Sequence, residues 1–244
     1  MNLCTSHKKR KSQCQVVAIV PIHQRDADLY LNQLFKEFDR LDWDVVWHIN
    51  NMDKETTSKI IDHPRTLGYS LSLDGVFVDS DRNAAVEIAQ SSGAPWISPH
   101  DADETLEPCA PTMLQDMLKR KHHYVVRWYN IWEVKEDGTL MIRVDGAFMG
   151  YKARFYPVNP WKYEYRGVAS LYPVGNNWCP REDSWLRILH WGFSTPESRQ
   201  WHYNRWDGKV SSNYWKMLVL PEFHAQCQLK AFDPNVSHHE FVTT

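Results

Sequence analysis

Asp101-Ala102-Asp103-Glu104, set just after the apolar run Trp96-Ile97, is the stretch of this sequence best suited to metal chemistry. Two carboxylates one residue apart on a turn can meet a single divalent ion. Oxygen ligation of that kind suits Mg2+ or Mn2+, which usually also take the phosphates of a substrate. The spacing alone says little. D-x-D also occurs at Asp26/Asp28, Asp42/Asp44 and Asp79/Asp81, and in a chain this rich in aspartate about one such pair is expected by chance. The alternative reading is an acidic turn whose Glu104 begins the next helix.

The elements around each pair separate them. "VVAIVPI" at residues 16–22 is a continuous apolar, β-branched run that predicts a buried parallel strand. Residues 26–41 follow as a helix with Leu29, Leu31, Leu34, Phe35, Phe38 and Leu41 on its apolar face and Asp26 or Asp28 as cap. Residues 44–49 are a second strand. A polar stretch with a short helix ends at Pro64, residues 65–79 read as irregular with a short strand at 76–78, and 80–92 is a helix stopped by Gly93. "APWIS" is then the strand that delivers Asp101 and Asp103, and residues 108–121 are again helical. Asp26/Asp28 and Asp79/Asp81 open helices, where carboxylates complement the dipole, and Asp42/Asp44 precedes a strand. Only Asp101/Asp103 follows a buried strand at its carboxyl end, where ligands bind in open α/β sheets.

The second half has a different pattern. Residues 124–134 and 139–144 read as a β-hairpin turning at Asp137-Gly138. Strands are expected at 151–158, 162–168 and 185–193, then a helix at 196–206 with Thr195 as N-cap and Pro196 in its first turn, and a loose tail from Phe232. Alternation of strand and helix followed by short strands predicts an α/β fold, a mostly parallel sheet flanked by helices, with a β-rich C-terminal half. One domain is expected over 16–231, divided into 16–121 and 122–231, between a basic tail at 1–15 and a C-terminal tail at 232–244.

Composition narrows the partners. The 244 residues are 43% apolar and 24% charged with a net charge of −2, an ordinary globular balance with no call for nucleic acid. No run approaches the roughly eighteen apolar residues of a membrane span. The basic cluster His7–Lys11 has no apolar stretch after it and reads as a solvated tail rather than a secretory signal. Five scattered cysteines without C-x-x-C disfavour a disulfide framework and place the chain in the cytoplasm. Twelve Trp and eleven Tyr, most after residue 120, serve either as strand and core residues or as platforms for sugar faces and bases.

In order along the chain, "VAIVPIHQR", "VVWHINNMDKET", "DRNAAVEIA" and "DADETLEP" resemble the GT-A nucleotide-sugar glycosyltransferases of the family-2 type. "ARFYP" and "RILHWGFSTPESRQWHYNRW" resemble elements of a subgroup of these enzymes, so the likeness spans Val16 to Trp206. It implies a Rossmann-like GT-A fold and transfer of a sugar from a nucleotide-diphosphate donor to a glycan or other hydroxyl acceptor, with inversion. Asp101 and Asp103 would hold Mn2+ or Mg2+ on the donor diphosphate, and His190 matches a further metal ligand. Arg25, Asn50 and Arg82, with Pro21, His23, Asp53 and Asp101, would line the nucleotide pocket, where arginine suits phosphate or a base. Two departures stand out. Asn50-Asn51 replaces an acid that usually reads the nucleotide, and Gly167–Ser170 stands where the subgroup has Val-His-Glu.

A carboxylate should take the acceptor proton. The family often uses the Asp of a Glu-Asp pair, here Glu182-Asp183, but Asp183 lies seven residues along a strand from His190, roughly 23 Å at 3.3 Å per residue. Asp145, after the hairpin, is preferred, against the plain reading of a turn aspartate before Gly146. Two alternatives differ in class: a non-catalytic GT-A-like domain that binds nucleotide or glycan, and a nucleotidyltransferase. The second would need a Gly-rich phosphate loop after the first strand, and "PIHQRDAD" has no glycine.

Overall fold

The computed structural model describes residues 5–72, 79–145, 149–166, 171–175, 179–206, 216–219 and 227–236. In chain order its elements are β1 (Thr5–Lys8), β2 (Val16–His23), α1 (Gln24–Leu41), β3 (Asp44–Asn50), α2 (Lys54–Asp62), β4 (Thr66–Ser72), α3 (Asp79–Gln90), β5 (Trp96–Pro99), β6 (Glu104–Leu106) and α4 (Ala110–Met117). There follow β7 (His123–Val134), β8 (Leu140–Arg143), β9 (Met149–Pro157), β10 (Tyr163–Tyr165), β11 (Leu171–Pro173), β12 (Arg181–His190), α5 (Pro196–Trp206) and β13 (Leu229–Ala231). The chain forms two compact units. One comprises Met1–Ala102, Leu114–Val125 and Ala153–Asp183; the other comprises Asp103–Met113, Val126–Lys152 and Ser184–Thr244.

The first unit is the α/β part. Its strands run in the order β1-β4-β3-β2-β5-β9, with β4, β3, β2 and β5 parallel and β1 and β9 antiparallel at the two sides. Every residue of β3 is buried, as expected of a parallel strand covered on both faces. Successive side chains point to opposite faces, which Val46 and Trp47 make visible. Val46 packs in a cluster with Ala85, Val86, Ile88 and Ala89 of α3, while Trp47 meets Phe38 of α1 edge-on, centroids 5.9 Å apart. Helix α1 buries Tyr30, Leu31, Leu34, Phe38 and Leu41, an i, i+3/i+4 stripe.

Several expectations need correction here. Helix α1 begins at Gln24, directly out of β2, so Asp26 lies inside its first turn and His23 holds the N-cap position without a side-chain cap bond. Leu29 falls off the stripe and is 54% exposed. The stretch read as irregular contains β4, whose polar and glycine-bearing sequence, TLGYSLS, hid a strand that is largely buried. The expected strand at 76–78 lies outside the described residues. The basic cluster is exposed to solvent but is not a free tail. Residues 5–8 pair with β4, and Arg10 forms a forked ion pair with the buried Asp44, with Nη1 2.8 Å from Oδ2. Glu104 begins β6 rather than a helix.

In the second unit the strands order β7-β12-β6, with β8 on β7 and β13 on β8. The β7–β8 hairpin turns as expected, through Gly138 at φ +85. One cluster joins Tyr129, Ile131, Ile142 and Leu189, and Phe232 and Val236 pack against it. Residues 232–236 are therefore docked rather than loose, and the rest of the expected tail lies outside the described residues. Arg187 donates to the carbonyls of Asp233, Pro234 and Val236 at 3.3, 2.8 and 2.8 Å.

Among the described glycines of the first unit, Gly68 of β4 has the least room for a side chain. A Cβ there would lie 2.7 Å from the His7 carbonyl oxygen and 2.8 Å from Ile88 Cγ2. Gly68→Ala is expected to destabilise the protein by about 1–3 kcal/mol through overpacking against β1 and α3, read as a lower chemical-denaturation midpoint. An unchanged midpoint would show that the β1–β4–α3 junction is not tightly packed.

Candidate functional site

In the first unit three of the parallel strands, β2, β3 and β4, end together and β5 ends earlier. His23 is paired with Asn50 and Asn50 with Ser72, while β5 stops at Pro99 opposite Ile19. Asn50 is fully buried, and Pro21 sits beside His48 one turn of the pleat earlier. Arg25, in the first turn of α1, is 3.5 Å from Asp26. Asp53 caps α2. Its oxygens accept from the Thr56 backbone N–H and hydroxyl at 2.7 and 2.8 Å, and these bonds hold the carboxyl below its usual range. Its backbone N–H donates to Gln24. That capping role accounts for Asp53 without a ligand.

Asp101 and Arg82 come together around one tyrosine. Asp101 Oδ2 is 3.3 Å from Nη2 of Arg154, a side chain only 3% exposed. The Arg82 guanidinium lies 5.0 Å from the centre of the Tyr165 ring and 3.9 Å from Asp79. Burial pushes the Tyr165 phenol well above its ordinary range, the Asp101 charge adds to this, and Arg82 and Arg154 oppose it. Arg154 was missed by sequence reasoning. Its signal was an arginine inside "ARFYP", where Phe155 and Tyr156 are core.

The second unit brings Asp103 to His190. Strand β6 pairs antiparallel with β12 so that His190 stands opposite Glu104, and the Trp191 N–H donates to the Asp103 carbonyl at 2.7 Å. As a result His190 Nε2 lies 3.0 Å from Asp103 Oδ2. The other ring nitrogen, Nδ1, lies 2.6 Å from the Asn130 side-chain oxygen, which makes Nδ1 the N–H donor and leaves Nε2 as the position for a proton or a cation. The imidazole is also gripped by Trp128 and Phe193, each with centroids 4.9 Å away. Beside it, Lys152 Nζ is 2.6 Å from the fully buried Glu104 carboxylate and 4.6 Å from the Trp128 ring centre. Asn130 and Lys152 carried no sequence signal, since each is a single polar residue in a strand.

The two base candidates are both engaged by arginines. Asp145 takes Arg143 on both oxygens, with Nε–Oδ1 and Nη2–Oδ2 both 2.8 Å, and Arg143 is fully buried against Trp132. Asp183 pairs with Arg181 at 2.9 Å, both exposed, at the opening of the strand that His190 closes. The Val-His-Glu counterpart, 167–170, lies outside the described residues.

Among the described residues no three His, Cys, Asp or Glu side chains converge as a metal cage. The pair Asp103 and His190 nonetheless fits a divalent ion. One carboxylate oxygen and one oriented imidazole nitrogen face each other, and ions of this kind usually complete their shells with substrate phosphate and water. Cys14, Cys109, Cys179 and Cys227 are free thiols. Among the described residues no helix is long and apolar enough to cross a membrane.

No protein-family model matches the chain, and no curated protein matches it in sequence. Among solved structures it is similar to residues 1–349 of Staphylococcus aureus TarS, at 13% identity over 86% of this chain and 71% of that one, TM-score 0.41. HddC from Yersinia pseudotuberculosis gives 8% identity over 75% of this chain and 96% of that one, TM-score 0.41. A Pyrobaculum calidifontis mannosyltransferase, solved with GDP-Man and Mn2+, gives 16% over 46% of this chain and 34% of that one, TM-score 0.32.

Glu104 and Lys152 provide a test of the second unit's charge pairing. Lys152→Met is expected to destabilise by about 3 kcal/mol, because it strips a buried carboxylate of its counter-charge, and the double variant Glu104→Gln/Lys152→Met should recover most of that loss. Additive losses in denaturant titrations would mean the pair is not coupled.

Proposed function

We propose that this chain is a metal-dependent glycosyltransferase of the GT-A, family-2 type, moving a sugar from a nucleotide-diphosphate donor to an acceptor hydroxyl with inversion. The observation that most supports this reading is the Asp103–His190 contact with Asn130 behind the ring. Two residues named as metal ligands by the resemblance, remote in sequence, meet at 3.0 Å, with Nε2 on the side of Asp103. Asp101, two residues before Asp103 in the chain, is the carboxylate that the resemblance pairs with it. A Mn2+ or Mg2+ ion held there would offset the charge that develops on the leaving diphosphate.

In this reading Pro21, His23 and Asn50 of β2 and β3, with Arg25 and Arg82 from the starts of α1 and α3, contact the nucleotide. Arg82 and Arg154 are guanidinium groups suited to phosphate. The acceptor oxygen bonds to the anomeric carbon as the bond to the diphosphate breaks, and a carboxylate takes the hydroxyl proton. Asp145 is placed ahead of Asp183 for that task because it belongs to the same unit as Asp103 and His190. To act, it would have to loosen from Arg143.

A thermal-shift screen of nucleotide sugars with and without Mn2+ tests the proposal. A matching donor at a hundred times its Kd should stabilise by about 2.7 kcal/mol. Asp103→Ala should abolish the metal-dependent part of the shift, and Arg82→Ala should weaken the response to donor. No metal-dependent shift with any donor would sink the proposal.

A further inference from the structure

We infer that Gly192 is a positioning residue that keeps the space beside Asp103 and His190 open for a cation. The inference rests on the metal reading above. Gly192 follows β12 by two residues, in the turn that leads to α5. A Cβ built on it would stand 2.4 Å from Asp103 Oδ2 and 2.9 Å from both Nε2 and Cε1 of His190. Those are the carboxylate oxygen and the ring nitrogen that face each other at 3.0 Å. Any side chain at 192 therefore occupies volume bordered by both donor atoms.

The requirement is spatial rather than conformational. Among the described residues the glycines with positive φ are Gly93, Gly138 and Gly175, and Gly192 is not one of them. Its backbone therefore does not demand glycine, and the missing Cβ is what matters. The collision would also be resolved unevenly. His190 is 6% exposed, bonded to Asn130 and gripped by Trp128 and Phe193. The Asp103 oxygen is the end of a short rotatable side chain that is 18% exposed. A methyl group at 192 should therefore push the carboxylate aside, leave the ring in place and leave the fold largely intact. The geometry that would be lost is the one a shared cation needs, since metal ligation tolerates only a few tenths of an ångström in donor distance.

The turn around Gly192 is itself well fixed. The Gly192 carbonyl accepts from the Ser198 hydroxyl at 2.6 Å, and the Ser194 N–H donates to the Trp191 carbonyl at 2.9 Å. The backbone at 192 is thus tied to α5 and has little freedom to carry an added methyl group away. Gly150, in the same unit, offers a control. Its hypothetical Cβ meets only Trp128, at 3.7 Å, an ordinary contact.

The test is Mn2+ titration of the full chain followed by electron paramagnetic resonance of the free ion, with apo melting temperatures measured alongside. The wild-type chain and Gly150→Ala should bind Mn2+ alike, and Gly192→Ala should bind at least tenfold more weakly with its apo melting temperature within a few degrees of wild type. Wild-type affinity in Gly192→Ala would overturn the inference while leaving the metal site standing. Loss of folding in Gly192→Ala, with Gly150→Ala intact, would also overturn it by assigning the glycine to the turn. Absence of Mn2+ binding by the wild-type chain would remove the metal reading and this inference with it.

Discussion

Three residue pairs between β6 and β12 hold the second unit's chemistry in place. Ile188 with Leu106, Leu189 with Thr105 and His190 with Glu104 fix the register, and a slip of one residue would turn each of these side chains to the opposite face. The pairing sets Asp103 against the imidazole and brings Glu104 to Lys152. It also starts the turn whose Trp191 indole donates to the Thr105 hydroxyl at 2.9 Å. A backbone ladder of this length would be weak alone. Glu107 strengthens it by accepting from the Arg187 backbone N–H and from its Nε, both at 2.7 Å.

Buried charge recurs as a means of holding strands in place. Arg143 with Asp145, Arg187 with Glu107 and Lys152 with Glu104 each place a cation against a carboxylate within the second unit, and Arg154 with Asp101 does so in the first. Removing charges from water is costly, so such pairs contribute little net stability over apolar residues of the same shape, but breaking one is strongly unfavourable. Their effect is therefore to penalise misregistered arrangements. This explains why Asp145, chosen from sequence as a possible base, sits as the partner of a fully buried arginine.

The sequence showed most where a single periodicity or turn residue decided the outcome. The apolar runs of β2 and β3, the Asp137-Gly138 turn and the Thr195 cap of α5, whose hydroxyl accepts from the Ser198 N–H at 3.1 Å, could all be read locally. Strand β4 could not, because its burial comes from β3, β1 and α3 rather than from its own composition. The basic N-terminal residues hid a strand for a similar reason: nothing in an exposed charge run shows its pairing with β4 or the buried Asp44 that receives Arg10. At the candidate site the carboxylates and His190 were legible as motif positions. Asn130, Lys152, Arg154 and Gly192 were not, since each acts only through a neighbour supplied by another strand or turn.

Strand β1 has a bearing on how the molecule behaves among its own copies. Strand β4 is largely buried and carries no charged residue, and without a partner on its outer side it would offer a row of open N–H and C=O groups. Four residues, Thr5 to Lys8, take those bonds and close the sheet with a short outer strand bearing His7 and Lys8, with Lys9 and Arg10 just beyond. Short, positively charged borders of this kind repel a second identical border. A border that is both short and positively charged is a poor template for the edge of a second copy.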